Sequence, residues 1–438
     1  MPPAAPALAL TPDPDGSPLS AAERRLLELV PAGADVVVPI GQGEPTTVLD
    51  MLEANAEHLD RVRIHRMDPL VERPYIRGEL GDHLRHVDYY LGPGSRQAYW
   101  DGTCDLVPNH FSEMPLLLAQ ATRRSLVVAA AAGPDAAGNF SLGTNADYVA
   151  SMIGEVPFFL EVTPAMPFTR GGNVLRGDQV AGWIRTDRAL PAVRHRDPSP
   201  ADRTIGALVA DLVPDGACLQ IGVGGTPGAV TEALTGHRDL GVHTECFASG
   251  LARLVDLGVV TGGRKRQRPG EHVTTFSVGD EALHRWLDGR DDVAFLPVEW
   301  TNDPRVVAHE PNFVSVNATT EVDLLGQAAS ETVAGRYWSS SGGQADFARG
   351  AMYSPGGRAF LVTHAATHDG RSRIRAQLTP GSVVTTLKNT VDHVVTEHGV
   401  ASLRGRSIAE RARELIAVAD PAHRDELRHE ARSFDILP

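Results

Sequence analysis

The sequence predicts an α/β protein built from two related halves. Short β-rich apolar runs alternate with amphipathic helical stretches along the chain. A pattern of strand, glycine turn, proline and helix occurs twice, as "PIGQGEPTTVLDML" (39–52) and "QIGVGGTPGAVTEAL" (220–234). Between them, "RALPAVRHRDPSPADR" (188–203) is polar and proline-containing, as a linker is. A chain of 438 residues exceeds one ordinary domain, so the expected division is 1–195 and 196–438.

Taken in order, "DVVVPIGQGEP" (35–45) reads as strand, glycine turn and the opening of a helix near Pro45, carried on by "TTVLDMLEANAEHL". Further strands are expected at "VRIHR" (62–66), "SLVVAAAA" (125–132) and "PFFLEV" (157–162). After the linker come helix "ADRTIGALVADLV", strand "CLQIGVG" and helix "GAVTEALTG". "HTECF" reads as a strand, "SGLARLVDLG" as a helix, "VTTFSVG" as a strand, "DEALHRWLDG" as a helix and "VAFLPVEW" as a strand. "SSSGGQADFARG" (339–350) reads as a glycine- and serine-rich turn, and "SIAERARELIAVA" as a final, charged surface helix. In both repeats glycine lets backbone approach a ligand, and the following helix offers free N–H groups. Neither turn supplies Gly-x-Gly-x-x-Gly, which argues against a dinucleotide cofactor.

The totals exclude several classes. A net charge of −14 argues against a nucleic-acid partner. The one basic cluster, "GGRKRQRPG" (262–270), reads as a solvated turn, with a contact to ligand phosphates as the alternative. Cys104, Cys218 and Cys246 are few and odd in number, which points to a reducing, cytoplasmic compartment. The opening "MPPAAPALALTPDPDG" lacks a basic region and is broken by prolines, unlike a signal peptide. The apolar run at 126–132 is far shorter than the ~20 residues of a membrane span, so no membrane partner is expected.

The chemistry gathers at "GVHTECFASG" (241–250), where Glu245 lies among small and apolar residues. A metal site with His243 and Cys246 is one reading, with His364 and His368 as a second histidine pair. Strand geometry at 242–247 and the absence of CxxC or HExxH argue against it, and no metal is expected. A serine hydrolase is disfavoured because Gly-x-Ser-x-Gly is missing and "SSSGG" has no helix-opening context. Two readings remain, an ion-pair partner and a carboxylate nucleophile. With an ordinary pKa of about 4.3, a glutamate is ionised at neutral pH without a helper base. It can attack an activated acyl group, and a thioester suits because a thiol of pKa about 8.5 leaves well.

Several segments carry a resemblance: "GQGEPTTVLDML", "VPNHFSEMP", "GPDAAGNFSLG", "LQIGVGGTPGAV", "GVHTECFASG", "PVEWTNDPRVVAHEPNFVSVNATTEVDLLGQ", "SSSGGQADFARGA" and "VVTEHGVASLRGRSIAERA". On these the chain, over roughly 35–430, resembles the acetyl-CoA hydrolase/transferase family, in particular its 4-hydroxybutyrate-type acyl-CoA:carboxylate CoA-transferases. The resemblance implies two CoA-transferase-type α/β domains with the active site in the cleft between them, and a homodimer. It implies that Glu245, in the "HTE" motif, becomes a glutamyl-CoA thioester in a ping-pong cycle. Acyl-CoA and a carboxylate acceptor are then the partners, with coenzyme A as substrate and product and no tightly bound cofactor. The glycine turn Gly222, Val223, Gly224, Gly225, Thr226 is expected to border the thioester and give oxyanion N–H groups. The "GGQxDF" loop is expected to approach CoA through Ser339, Gly342, Gly343 and Gln344, with Gly343 the backbone contact. Glu113, Glu321 and Glu397 are expected to be structural or pocket-shaping.

The chain departs from the family pattern at Cys246, at Ala248-Ser249-Gly250, at "NATTEVDL" and in the loop "RGGNVLRGDQV" (170–180). Arg170 or Arg176 in that loop is a candidate to pair a second carboxylate, with a solvated loop as the equal alternative. The acyl and acceptor groups are therefore open. An acyl-CoA hydrolase using the same glutamate and a non-catalytic CoA-binding protein are the alternatives.

Overall fold

The computed structural model describes residues 5–11, 19–193 and 197–438. Part of the opening stretch, and 194–196 of the linker, lie outside the described residues. The chain forms two compact units. The first comprises the chain up to Asn109, Glu113–Val193 and Thr274–Trp300. The second comprises His110–Ser112, Arg194–Val273 and Thr301–Pro438. Both units are α/β.

The first unit opens with helix α1 (Ala21–Glu28), started by a capping box in which the Ser20 hydroxyl accepts the Glu23 N–H. Strand β1 (Asp35–Val37) then leads through Gly41–Gly43 into helix α2 (Thr46–Ala54), whose Val48, Leu49 and Leu52 are buried. The remaining strands of its sheet are β2 (Val62–Arg66), β3 (Leu84–Asp88), β4 (Asp105–Leu106), β5 (Leu126–Ala131), β6 (Phe158–Val162) and β7 (Val180–Arg185). Their order is β7-β6-β5-β1-β2-β3-β4, and every pairing is parallel. A parallel sheet is covered on both faces, which explains the fully buried "LVVAAA" of β5. The core gathers Val36, Ile64, Leu84, Leu126 and Val128 against Leu26, Val48 and Leu52.

Helix α3 (Met114–Ala121) belongs to the first unit and follows closely on His110–Ser112 of the second, whose main part comes after the linker. Helix α4 (Pro200–Ala210) has proline at its first position and a Ser199–Asp202 capping box. Strand β8 (Cys218–Ile221), helix α5 (Gly225–Ala233), strand β9 (Gly241–Val242) and helix α6 (Ser249–Asp256) follow. The sheet is completed by β10 (Phe313–Ala318), β11 (Arg358–Val362), β12 (His393–Thr396) and β13 (Gly399–Ser402), in the order β9-β8-β10-β11-β12-β13. All pairs are parallel except the closing hairpin β12–β13. The chain leaves β8 for β9 on one side and later returns as β10 on the other. That reversal opens a crevice at the carboxyl ends of the strands, where such sheets bind ligands. Helix α7 (Gln344–Tyr353) packs on β10 and β11, and α8 (Ile408–Val418) and α9 (Arg424–Ser433) complete the unit.

The structure corrects five expectations. "SSSGGQADFARG" is a turn only to Gly343; from Gln344 it is helix α7, so the serines do precede a helix. "HTECF" is interrupted, because pairing is released after Thr244 and resumes at Cys246–Phe247. "VAFLPVEW" leaves strand at Phe295 and is helical over Val298–Thr301, Pro297 having removed a ladder donor. The basic cluster is not simply solvated, since Lys265 is buried and its ammonium donates to the carbonyls of Val242 and Glu271. The last helix is α9, beyond "SIAERARELIAVA". No helix among the described residues is long and apolar enough to cross a membrane.

Candidate active site

Glu245 owes its position to the end of a ladder. β9 is an edge strand paired to β8, with Cys218 opposite Gly241 and Leu219 opposite Val242. The His243 N–H still bonds to Leu219 O at 3.0 Å, and the Thr244 hydroxyl lies 3.4 Å from both Ile221 N and O. Beyond Thr244 the pairing is released, and Glu245 stands at the carboxyl edge of the sheet. His243 is buried and its Nε2 meets Thr301 O at 2.7 Å. Burial, and then the charge of Lys265, push its pKa down to about 3, so the ring is neutral. Among the described residues no group of three His, Cys, Asp or Glu could hold a metal. Of the second histidine pair, His364 meets Asp202 at 2.8 Å through Nε2, and His368 is exposed.

Two neutral donors hold the Glu245 carboxylate. The Asn302 side-chain amide donates to Oε2 at 2.6 Å, and the Gly343 backbone N–H donates to the same carboxylate. The residue keeps some solvent access, yet its carboxyl is enclosed enough that burial pushes its pKa up to about 7 against those two bonds. The expectation of a carboxylate ionised at its ordinary pKa is corrected accordingly: near neutrality this group is poised between its two forms.

Gly343 is required by contact. A Cβ at this position would run into Glu245 Oε2 and Asn302 Nδ2. Gly342, before it, has φ +56°, a left-handed backbone that favours glycine. Helix α7 begins directly after Gly343, so its N-terminal end faces the Glu245 carboxylate. Of the other residues expected in this loop, Ser339 is buried with its backbone N–H on Glu331 O. The Gln344 side chain donates to the hydroxyls of Ser330 (2.8 Å) and Thr386 (3.0 Å).

The glycine turn follows the strand next to that of Glu245. Gly222 is still in the ladder, its N–H on Val316 O at 2.9 Å. Val223 is 56% exposed, unusual for a valine, and Gly224 has φ +119°. Gly225 and Thr226 start α5, whose N-cap residue, Gly224, has no side chain to cap it. The Thr226 hydroxyl donates to Asp202.

A sequence model described as the acetyl-CoA hydrolase/transferase C-terminal domain matches residues 279–431. The succinyl-CoA:cyclohexane-1-carboxylate CoA transferase of Geobacter metallireducens is 36% identical over 409 residues, 93% of each chain. The chain belongs to the acetyl-CoA hydrolase/transferase family. The 4-hydroxybutyrate coenzyme A transferase of Clostridium kluyveri is 33% identical over 90% of this chain and 93% of its own. Among solved structures, RipA from Yersinia pestis matches with a TM-score of 0.89 and 31% identity, covering 95% of this chain and 97% of that one. As a member of the acetyl-CoA hydrolase/transferase family, the chain is an enzyme of the CoA-transferase type.

Within this family member, sequence reading missed Asn302 and Asp346. Asn302 is fully buried, directly before Asp303, which caps the next helical turn through the Arg305 N–H. The only sequence signal was its place inside the "PVEWTNDP" motif. Asp346 is the third residue of α7, buried, and accepts from Ser112 N (3.2 Å) and Oγ (2.9 Å). Glu321 accepts from Thr379 and Ser382, and Glu397 from the Ala365 N–H, as structural carboxylates do. Arg170 and Arg176 are exposed and pair with Asp291 and Asp178.

Proposed function

We propose that the protein transfers coenzyme A from an acyl-CoA to a free carboxylate through a covalent thioester on Glu245. The observation that carries this reading is the Glu245 carboxylate at the sheet's carboxyl edge, held by Asn302 and Gly343. Relatives named CoA transferases over nearly the whole chain support it.

The chemistry follows from the geometry. Burial makes the ionised Glu245 a stronger base and nucleophile than a solvated carboxylate. Its oxygen attacks the thioester carbonyl; the tetrahedral adduct expels CoA thiolate and leaves a mixed anhydride. The thiolate then attacks the glutamyl carbonyl, forms the enzyme thioester and releases the first carboxylate. A second carboxylate reverses the sequence. In both attacks on the glutamyl carbon, negative charge builds on a glutamyl oxygen. The donors already aimed at that carboxylate, Asn302 Nδ2 and Gly343 N–H, are placed to stabilise it. Water must be excluded, because either intermediate would hydrolyse in an open site. The exposed Val223 and the uncapped N–H groups of α5 suit the pantetheine arm and its thioester.

The test is intact-mass analysis after incubation with a panel of acyl-CoAs, with and without borohydride. A CoA adduct that maps to Glu245, is absent from Glu245→Ala and is discharged by a carboxylate is the expected result. Turnover by unmodified protein would sink the reading. CoA release without an acceptor would instead identify a hydrolase using the same glutamate.

A further inference from the structure

Three residues from the N-terminal part of the chain, His110–Ser112, belong to the second unit and dock on the loop that holds Glu245. The Phe111 N–H donates to Gly342 O at 3.1 Å. Ser112 gives both its N–H (3.2 Å) and its hydroxyl (2.9 Å) to the Asp346 carboxylate. These bonds bracket Gly343, the residue whose N–H reaches Glu245. Gly342 and Gly343 have no side chains to fix them, and Gly342 already sits in a left-handed conformation. A loop of this kind keeps one geometry only if its flanks are tied down.

We propose that Asp346 is a positioning residue of the transfer reaction, which clamps Ser112 to the first turn of α7, fixes the Gly343 N–H on Glu245, and sets a second carboxyl group close to the nucleophile. This rests on the reading of Glu245 as the nucleophile. Asp346 is buried, and burial is the first reason its carboxyl is raised above the ordinary range; the Glu245 charge adds to it. The Ser112 bonds and the nearby His110 act the other way. Glu331, which also feels His110, is the further acid of this neighbourhood and is raised by burial. The two carboxyls therefore resist being ionised together, as like charges sharing a site do. Such repulsion is reciprocal, so a variant without the Asp346 charge is expected to ionise Glu245 more easily.

The experiment compares wild type, Asp346→Asn and Ser112→Ala in the full chain. Exchange rates are measured from pH 5.5 to 8.5, and the Glu245–CoA adduct by intact mass. Asp346→Asn is expected to move the acidic limb of the rate profile to lower pH, so that the ratio of rates at pH 6 and pH 8 rises about threefold. Uniform losses from a looser fold cancel in that ratio. Ser112→Ala is expected to lower kcat about tenfold with KM unchanged and the acidic limb in place. Asp346→Glu, which keeps the charge, should return the limb to its wild-type position. Should Asp346→Asn fail to fold, Ser112→Ala decides alone. An adduct in wild type, with a superimposable Asp346→Asn profile or an unchanged Ser112→Ala kcat, overturns this inference by itself. Turnover without any adduct in wild type overturns the Glu245 reading and this inference with it.

Discussion

In the first unit the turn Gly41–Gly43 follows β1, a central strand with β2 on one side and β5 on the other; in the second unit Gly222–Thr226 follows β8, flanked by β9 and β10. Each turn thus stands where its sheet reverses direction, and each opens a helix. Their contents differ. In the first, the Gln42 side chain is buried and saturated by Pro191 O, Gly279 N and O, and His284. The first N–H groups of α2 are taken by the Glu161 carboxylate, which accepts from Thr47 N (2.6 Å), Val48 N (3.1 Å) and Thr47 Oγ1 (2.8 Å). In the second, the N-cap residue of α5 is Gly224, no carboxylate among the described residues takes the first N–H groups, and Val223 and Gly224 face outward. One repeat has filled its anion site with its own carboxylate. In the other no such carboxylate is seen among the described residues, and the turn lies beside the strand that ends in Glu245.

Glycine substitutions separate the two turns most sharply. Gly224→Val forces a side chain onto φ +119°, so the turn must rebuild. The expected outcome is a loss of about 10²–10³ in kcat/KM for acyl-CoA, with little change in Tm. Gly41→Ala, at φ +57° with its Cβ in ordinary contact with Val278, should cost about 1 kcal/mol of stability and leave kcat within twofold. Steady-state kinetics and thermal melts on both variants check this. Equal kinetic losses would erase the distinction between the turns.

The sequence exposes the glycine turns because glycine and proline at a strand-to-helix junction have few other uses, and it exposes Glu245 because a lone carboxylate among apolar residues is conspicuous. The break in the strand at Thr244–Glu245 was illegible, since "VHTECF" carries no turn residue and the ladder simply ends where Ile221 gives way to Gly222. Helix α7 was hidden by the serines and glycines that precede it. Asn302, Asp346 and Glu161 act through partners 57, 234 and 114 residues away. No local pattern reports such contacts. Lys265 reads as solvated beside its basic neighbours, and only the fold reveals the two carbonyls that take its ammonium.

Carboxylates at two helix starts extend the comparison to stability. Glu161→Ala strips the acceptor from buried N–H groups of α2 and should cost about 2–3 kcal/mol while sparing kcat. Glu245→Gln should act in the opposite direction. The Glu245 pKa, raised to about 7 by burial, means that the folded protein binds this proton more tightly than the unfolded chain does. Stability is therefore lost as pH climbs from the ordinary carboxylate range through 7. A glutamine avoids that loss, so relative to wild type the variant should gain about 1–2 kcal/mol of stability between pH 4 and pH 8, while inactive. Urea unfolding at the two pH values reads the difference; a variant without that gain would place Glu245 among the structural carboxylates with Glu161.

The smallest effect is expected where α5 is anchored from the side. Asp202 accepts from Ser199 N (2.8 Å), Ser199 Oγ (2.6 Å), His364 Nε2 (2.8 Å) and the Thr226 hydroxyl. Burial alone would raise its pKa, but these bonds outweigh it and hold the carboxyl well below the usual range. Its stabilising contribution is thus present above the ordinary carboxylate pKa and lost only as strong acid protonates it. Thr226→Val removes one of the four bonds without altering side-chain shape, so the α4 cap survives and the melting temperature should hardly move. What loosens is the first turn of α5. Acyl-CoA KM should rise about threefold with kcat unchanged, and Thr226→Ser should restore it. The KM difference should persist from pH 6 to 8, because Asp202 remains ionised throughout. A fall in kcat instead would assign the α5 turn to the chemical step beside Gly343 and Asn302, and the open turn would then serve the reacting atoms rather than the body of the CoA ester.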